Sequence, residues 1–292
     1  MTTLLTINTL DLYGSDAQAD QDRYGAVEDL IRSYDADVIA VQEVIADGAS
    51  VVEKRVGAEA GLRRLAAAVG RDCEVDGRAA VAAGGIIHHP GLLWRAGIEP
   101  VPGSLHTLQR DGAGMWHGAV SVILDLGGLR VRVGSCQLSP FSPTWRRRDA
   151  EQLLRLFNSD AVPGLLGGDF NVIGGDCVYD PDPYENMPWH PDHAYQLTDH
   201  GAPDRSAAHL LEANHLGRMR DCARLTGTWW AATTGHHPAD QHPPRRLDRW
   251  YATWDFPADA IAGLAVADVE QVGTTTDHLP VLLHLDLDAL SR

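Results

Sequence analysis

Residues 164–171 read Gly164-Leu165-Leu166-Gly167-Gly168-Asp169-Phe170-Asn171, an apolar run that ends directly in a carboxylate and an amide. A short continuous apolar run bounded by glycine fits a strand buried on both faces. The polar residues then fall at the strand's end, on the rim of a sheet. Three other segments follow the same logic. Leu4-Leu5-Thr6-Ile7-Asn8-Thr9-Leu10 is a buried strand with Asn8 inside it. Asp37-Val38-Ile39-Ala40-Val41-Gln42-Glu43-Val44 is an apolar strand closing on Glu43. Residues 247–253 form a strand carrying Asp248, and Asp277-His278 precede a last apolar strand at 280–285. Polar groups gathered on one rim are where sites form.

The segments between these strands set the class. Residues 24–34 place Val27, Leu30 and Ile31 at helical spacing, after a polar loop at 14–22. Residues 51–69 are Ala-rich and helical, 144–157 form a helix with Arg146, Arg147 and Arg148 in its first turns, and 206–216 form another. Strands are expected at 84–88 and 91–94. Those at 119–126 and 129–135 flank Gly127-Gly128, a two-residue hairpin signal. Residues 174–205, dense in Pro, Asp, His and Tyr, read as a long surface excursion of the functional kind. There is no internal repeat and no linker. The expectation is one α/β (α+β) domain over 1–292 with an insert at about 174–205.

Composition narrows the function. The 292 residues carry 40 Asp+Glu against 24 Lys+Arg, a formal net charge of -16, and Lys54 is the single lysine. Nucleic acid is disfavoured as a partner, because non-specific binding needs cationic side chains to displace counterions. An anionic membrane surface is disfavoured for the same reason. Acidic groups clustered in a cleft suit divalent cations instead. The four cysteines, Cys73, Cys136, Cys177 and Cys222, form no CxxC pair and read as reduced, mostly buried side chains. The N-terminal residues lack the pattern of a signal peptide, and no apolar run approaches 18 residues, so the expected location is cytoplasmic. No obligate protein partner is evident.

The chemistry follows from residue type. Carboxylate and amide oxygens are hard ligands for Mg²⁺ or Mn²⁺. A metal there polarises a phosphoryl oxygen, an Asp takes a proton from water, and a His contacts the phosphate. In their order along the chain, Thr6-Ile7-Asn8, Val41-Gln42-Glu43, Gly167-Gly168-Asp169-Phe170-Asn171, Arg246-Leu247-Asp248-Arg249-Trp250 and Thr276-Asp277-His278-Leu279-Pro280-Val281 resemble the endonuclease/exonuclease/phosphatase superfamily. These are metal-dependent phosphoesterases related to pancreatic deoxyribonuclease. The resemblance covers about residues 3–286. It implies a four-layer α/β/β/α sandwich, with two mixed sheets face to face and helices outside. It also implies roles. Glu43 is the principal metal ligand, with Asn8 beside it and Asp277 binding metal or supporting the site. Asp169 aligns or deprotonates the attacking water. Asn171 holds phosphate or nucleophile, and His278 contacts phosphate with Asp248 as its orienting partner.

Two departures stand out. The mid-chain strand that usually carries His in the family reads Ser135-Cys136-Gln137-Leu138 here. An amide can hydrogen-bond a phosphoryl oxygen but cannot donate a proton as imidazolium does. Relatives often carry Asp two residues after the strand Asn; here that position is Leu10, with Asp11 one further on, which points to a single metal. His117 opens the strand before Gln137, and Arg146 starts the helix after it, so both join Gln137 as candidate substrate contacts. The bland readings are a satisfied strand histidine and a solvated helix face. Tyr179, Tyr184, Trp189 and Tyr195 read equally as an aromatic lid or as cover for the core edge, and Arg245-Arg246 as a pair flanking the Asp248 strand.

The leading reading is a divalent-metal-dependent phosphoesterase, a phosphodiesterase or phosphatase, acting on a small phosphorylated or nucleotide-like substrate. The alternatives are a DNA endonuclease, a scaffold reused for non-phosphoryl chemistry in a biosynthetic pathway (motivated by Gln137 and the insert), and a metal-free binding protein.

Overall fold

The computed structural model describes residues 1–84, 86–109, 114–158, 162–212 and 218–291. Among the described residues two mixed sheets are built mainly from β1 (Thr2–Leu12), β2 (Val38–Ile45), β3 (His88–Trp94), β4 (Gly118–Leu126), β5 (Leu129–Gln137), β6 (Gly164–Asp169), β7 (Met219–Asp221), β8 (Asp248–Thr253), β9 (Ile261–Val266) and β10 (Val281–Leu285), with the short strands Glu99–Pro100 and His106–Leu108 both paired to β4. The first sheet runs β9-β10-β1-β2-β3, and the second runs β7-β8-β6-β5-β4, with the short segment Glu99–Pro100 beyond β4. Each sheet has one parallel pair, β1 with β2 and β5 with β6, and its other pairings are antiparallel.

Alternation along the strands explains the layering. In β1, Leu4 belongs to a core that also holds Val38, Val122, Val133, Leu165 and Leu283, drawn from both sheets. Its neighbour Leu5 points the other way, into a cluster with Val27, Ile31, Leu62 and Leu65. Those last residues lie on helices α1 (Gln18–Tyr34) and α2 (Val51–Val69). On the far side, Cys136, Leu166 and Tyr251 pack with Leu153, Phe157 and Leu211 of helices α3 (Pro143–Phe157) and α4 (Ser206–Glu212). Three apolar layers between four layers of structure are the expected sandwich. This is why the strands read as continuous apolar runs: both faces are buried.

Most boundaries fall where composition sets them. Ser50 caps α2 by accepting from the Glu53 N–H, and Gly70 closes it in a left-handed conformation. Ser142 caps α3 with Pro143 in its first turn. Gly127 and Gly128 both take positive φ at the β4–β5 hairpin. Three readings differ. Helix α1 begins at Gln18 inside the expected loop, because its first turns are polar apart from the single Ala19 and give no apolar spacing. The two strands expected at 84–88 and 91–94 are one strand, β3, whose Gly91 lets Leu62 of α2 approach: a Cβ there would lie 2.5 Å from a Leu62 methyl. Gly85 lies outside the described residues. Helix α4 ends at Glu212, and 213–216 of the expected helix likewise lie outside them.

The glycine pair before Asp169 sets how closely β5 and β6 approach. A Cβ on Gly168 would sit 2.1 Å from the carbonyl oxygen of Cys136, and one on Gly167 would meet the Trp250 ring at 2.8 Å. Gly168→Ala is therefore expected to cost about 3 kcal/mol, since the Cys136 backbone is held in the sheet and cannot retreat. Urea unfolding of the variant measures this; an unchanged midpoint would refute the close packing.

Candidate active site

The rim between the two parallel pairs collects the polar strand ends. Asp169 ends β6 opposite Gln137 of β5, and its antiparallel partner is Asp248 of β8. Glu43 of β2 and Asn8 of β1 come from the facing sheet. Across the gap, Asn8 Nδ2 donates to Glu43 Oε1 at 2.9 Å and to Asp169 Oδ2 at 3.4 Å. Gln137 Nε2 does the same, at 2.7 Å and 3.4 Å. Two carboxylates from different sheets thus share two amide donors. Asn171 steadies Asp169 further, donating its backbone N–H to Oδ1 and its Nδ2 to Oδ2, each at 2.9 Å.

Beside this pair, His278 Nδ1 lies 2.8 Å from Asp248 Oδ2. Asp248 is held at its backbone, where Thr233 Oγ1 accepts from the N–H groups of Leu247 and Asp248 at 3.0 Å each. Burial alone would push the His278 pKa down, but the charges of Asp248 and Asp277 outweigh it and hold it well above the usual imidazole value. Asp169 moves the other way for a carboxyl: burial pushes it up to about 7.

These observations fit a divalent cation. Glu43 and Asp169 repel each other within reach of one amide nitrogen, and a cation relieves that repulsion. Two buried acceptors, Gln137 Oε1 and Asp248 Oδ1, have no hydrogen-bond partner. The donors are carboxylate and amide oxygens, the ligands such ions prefer. Two sets of three residues also bring one potential ligand atom each to within 4.8 Å of one another: Asp169, Asp248 and His278, and Asp11, Glu43 and His88. Asp277, which the resemblance gives to the metal or to support of the site, lines a cleft next to His278.

Asp11 reaches Glu43 through an irregular β1. Asn8 pairs with Gln42 and Leu12 with Val44, so four steps along β1 match two along β2. Leu10 (φ 51°), Asp11 (φ 54°) and Glu43 (φ 68°) are all left-handed. That costs about 1–2 kcal/mol per non-glycine residue and persists only where the surroundings enforce it. Arg23 of α1 helps to enforce it, donating to the carbonyls of Thr9, Leu10 and Asp11. The Asp11 N–H then donates to Glu43 Oε2 at 3.1 Å, and Asp11 Oδ1 meets His88 Nε2 at 2.8 Å. Sequence spacing cannot reveal such a bulge, which brings the later aspartate to Glu43.

A cavity of about 470 Å³ opens from Asn171, Asp277 and His278. Its wall includes Asp192 and Tyr195 of the 174–205 insert, and Asp240, His242 and Arg245. Of the four aromatic residues weighed as a lid, Tyr195 alone is in this wall. Tyr184 is buried, the Tyr179 hydroxyl donates to the Thr228 carbonyl, and Trp189 is exposed. Arg245 lines the cleft while its guanidinium holds the Tyr195 hydroxyl at 2.8 Å and Asp240 at 3.2 Å. Arg246 turns inward, to both oxygens of Asp221 (2.6 and 2.7 Å) and to Asp180 at 3.0 Å, pinning the base of the insert.

Two candidate substrate contacts lie outside that wall. Arg146 is fully buried and donates to the carbonyls of Ser139 and Tyr195, tying α3 to the insert. His117 is 2 % exposed, neither ring nitrogen has a partner, and burial pushes its pKa down to about 3. It packs 5.1 Å from the His88 ring, on the Asp11 side of Glu43. Gln137 is turned onto the two carboxylates, so its amide positions them.

The sequence profile of the Endonuclease/Exonuclease/phosphatase family matches residues 5–278. None of the curated proteins matches the sequence. Solved structures share the fold. An endonuclease/exonuclease/phosphatase from Bacteroides vulgatus is 16% identical, with a TM-score of 0.64 over 98% of this chain and 99% of that one. A mannosyl-6-phosphatase of Bacteroides thetaiotaomicron is 13% identical, with a TM-score of 0.60 over 98% and 100%. TDP2 of Caenorhabditis elegans is 13% identical, with a TM-score of 0.58 over 97% and 73%.

The raised Asp169 pKa has a consequence for stability. A carboxyl that ionises at higher pH when folded binds more protons than the unfolded chain, so its burial becomes destabilising as pH rises from the ordinary aspartate value through about 7. Without added metal, Asp169→Asn is expected to be more stable than the parent at pH 8, with the gain shrinking towards pH 4. Thermal melts across that range test it, and a gain that grows as the pH falls would contradict the assignment.

Proposed function

This chain belongs to the endonuclease/exonuclease/phosphatase family, and from that premise we propose that it is a divalent-metal-dependent phosphoesterase of small phosphorylated molecules. The observation that carries the reading is the meeting of Glu43 and Asp169 under shared amide donors, with the His278–Asp248 pair beside them at the mouth of a polar cleft. Glu43, with Asn8, would hold Mg²⁺ or Mn²⁺. When bound, the ion polarises a phosphoryl oxygen and offsets charge on the leaving oxygen.

The chain's own groups supply the rest. Asp169, aligned by Asn171, is a carboxylate poised near neutrality, suited to take a proton from the attacking water. His278 is kept cationic by Asp248 and Asp277 and binds the phosphoryl group as an imidazolium. Gln137 replaces the family histidine without facing substrate: it bridges Glu43 to Asp169 and keeps their oxygens in register. The phosphoryl chemistry therefore does not depend on a proton from position 137.

The cleft favours a compact, uncharged group beyond the phosphate. Asp192 and Asp240 repel further phosphates, and Arg245 is already engaged by Tyr195 and Asp240. Together with the net charge of -16, this disfavours a nucleic-acid duplex. That a mannosyl-6-phosphatase shares the fold supports testing sugar phosphates first.

Hydrolysis of p-nitrophenyl phosphate and bis-p-nitrophenyl phosphate, with Mg²⁺ or Mn²⁺ and with EDTA, tests the reaction. Turnover is expected with metal and not with chelator, and Glu43→Gln and His278→Ala should each lower kcat/KM by about 10²–10⁴. Undiminished turnover in EDTA, or in Glu43→Gln, would overturn the proposal. With sugar phosphates, Asp240→Asn should alter KM much more than kcat, because Asp240 lies in the cleft wall away from Asp169.

A further inference from the structure

The second cluster at the rim shares Glu43 with the site above, while its other two members, Asp11 and His88, have no part in those steps. Glu43 has two faces. Its Oε1 receives the Asn8 and Gln137 amides, and its Oε2 receives the Asp11 N–H. One ligand atom each from Asp11, Glu43 and His88 lies within 4.8 Å of the others. We propose that Asp11, Glu43 and His88 form a cation site with the His88 imidazole as a direct ligand, selecting a first-row transition ion such as Mn²⁺, Co²⁺ or Zn²⁺ over Mg²⁺. The inference rests on the preceding reading only in placing a cation at Glu43.

An observation independent of the three ligands points to a missing partner here. His117 is almost fully buried, packed 5.1 Å from the His88 ring, and both its nitrogens lack a hydrogen-bond partner. Across the strand pair, its neighbour Gly118 faces Gln137, whose Oε1 is also buried and unpartnered while its Nε2 touches Glu43. Unmet polar atoms beside His88 and on the amide that touches Glu43 indicate that the site is completed by something else.

Ligand chemistry decides which ion. Mg²⁺ prefers oxygen donors in a strict octahedron, whereas imidazole nitrogen suits the transition ions. Access is open: the Asp11 side chain is 58% exposed and the His88 side chain 23%. The ring hydrogen bond between His88 Nε2 and Asp11 would give way to coordination of both groups.

The test is electron spin-echo spectroscopy of bound Mn²⁺ and calorimetric titration with Mn²⁺ and Mg²⁺, all in the His278→Ala background so that the other rim imidazole is silent. The expected result is ¹⁴N modulation on bound Mn²⁺ and tighter binding of Mn²⁺ than of Mg²⁺. His88→Ala should erase the modulation and weaken Mn²⁺ by about tenfold or more. His88→Gln, which keeps a hydrogen bond to Asp11 and guards against a folding defect, should do the same. Bound Mn²⁺ without nitrogen modulation, or modulation that survives both His88 variants, overturns the proposal. Hydrolysis with Mg²⁺ but no nitrogen signal would reject this site and leave the phosphoesterase reading standing. A nitrogen signal in that background, with no hydrolysis by the parent protein, would do the reverse.

Discussion

Two carboxylates held by the same pair of amides are the interaction on which this molecule turns. Glu43 and Asp169 belong to different sheets, so the hydrogen bonds from Asn8 and Gln137 fix more than side-chain positions. They register one layer of the sandwich against the other at its rim. The apolar core between the sheets pulls the layers together without specifying where their ends meet. Directional donors supply that specification, and they do so at the cost of crowding two acidic groups in a buried place. Burial of Asp169 raises its pKa, and the charges of Asp248 and Glu43 add to the rise.

The sheets make the crowding possible. Each has its parallel pair near the middle, and the ends of β2 and β6 carry Glu43 and Asp169 to the same edge. Gly168 lets β6 lie against β5, so Asp169 and Gln137 stand opposite each other in register. The His278–Asp248 pair arrives from β8 and from the turn before β10, one from each sheet. Four polar groups from separate stretches of chain become neighbours because each lies near one end of a buried strand or in the turn leading into one.

How much of this was legible in the sequence depends on the length scale of the cause. The mixed α/β class followed from apolar runs alternating with helical spacings, the four-layer sandwich from the resemblance, and the rim residues from polar groups at the ends of those runs. Their order along the chain carried the resemblance that joined them. The start of α1 was hidden because its first turns bury almost nothing. The approach of Asp11 to Glu43 was hidden because it depends on a bulge of left-handed residues tied down by Arg23, which comes from another element. Leu10 stands at the position where relatives often carry Asp, and the bulge brings the backbone of Asp11, one residue along, to Glu43. Arg146 and His117 illustrate the converse. Their places in the sequence, next to the Gln137 strand, pointed toward substrate, while packing turned Arg146 onto backbone carbonyls and buried His117 beside His88. Charge pattern alone does not separate a guanidinium that meets solvent from one that fastens two segments together.

Arg246 fastens the insert at its root, through Asp180 and Asp221, well before the chain reaches the cleft. The stretch beyond that anchor contributes Asp192 and Tyr195 to the cleft wall, while the reacting groups all sit on or next to strands of the sandwich. Shape and reactivity are thereby carried by different parts of the polypeptide. On the proposed reading, a change in the insert's part of the wall would leave the strand-borne groups where they are, so the cleft could be reshaped by rewriting a loop whose base stays clamped.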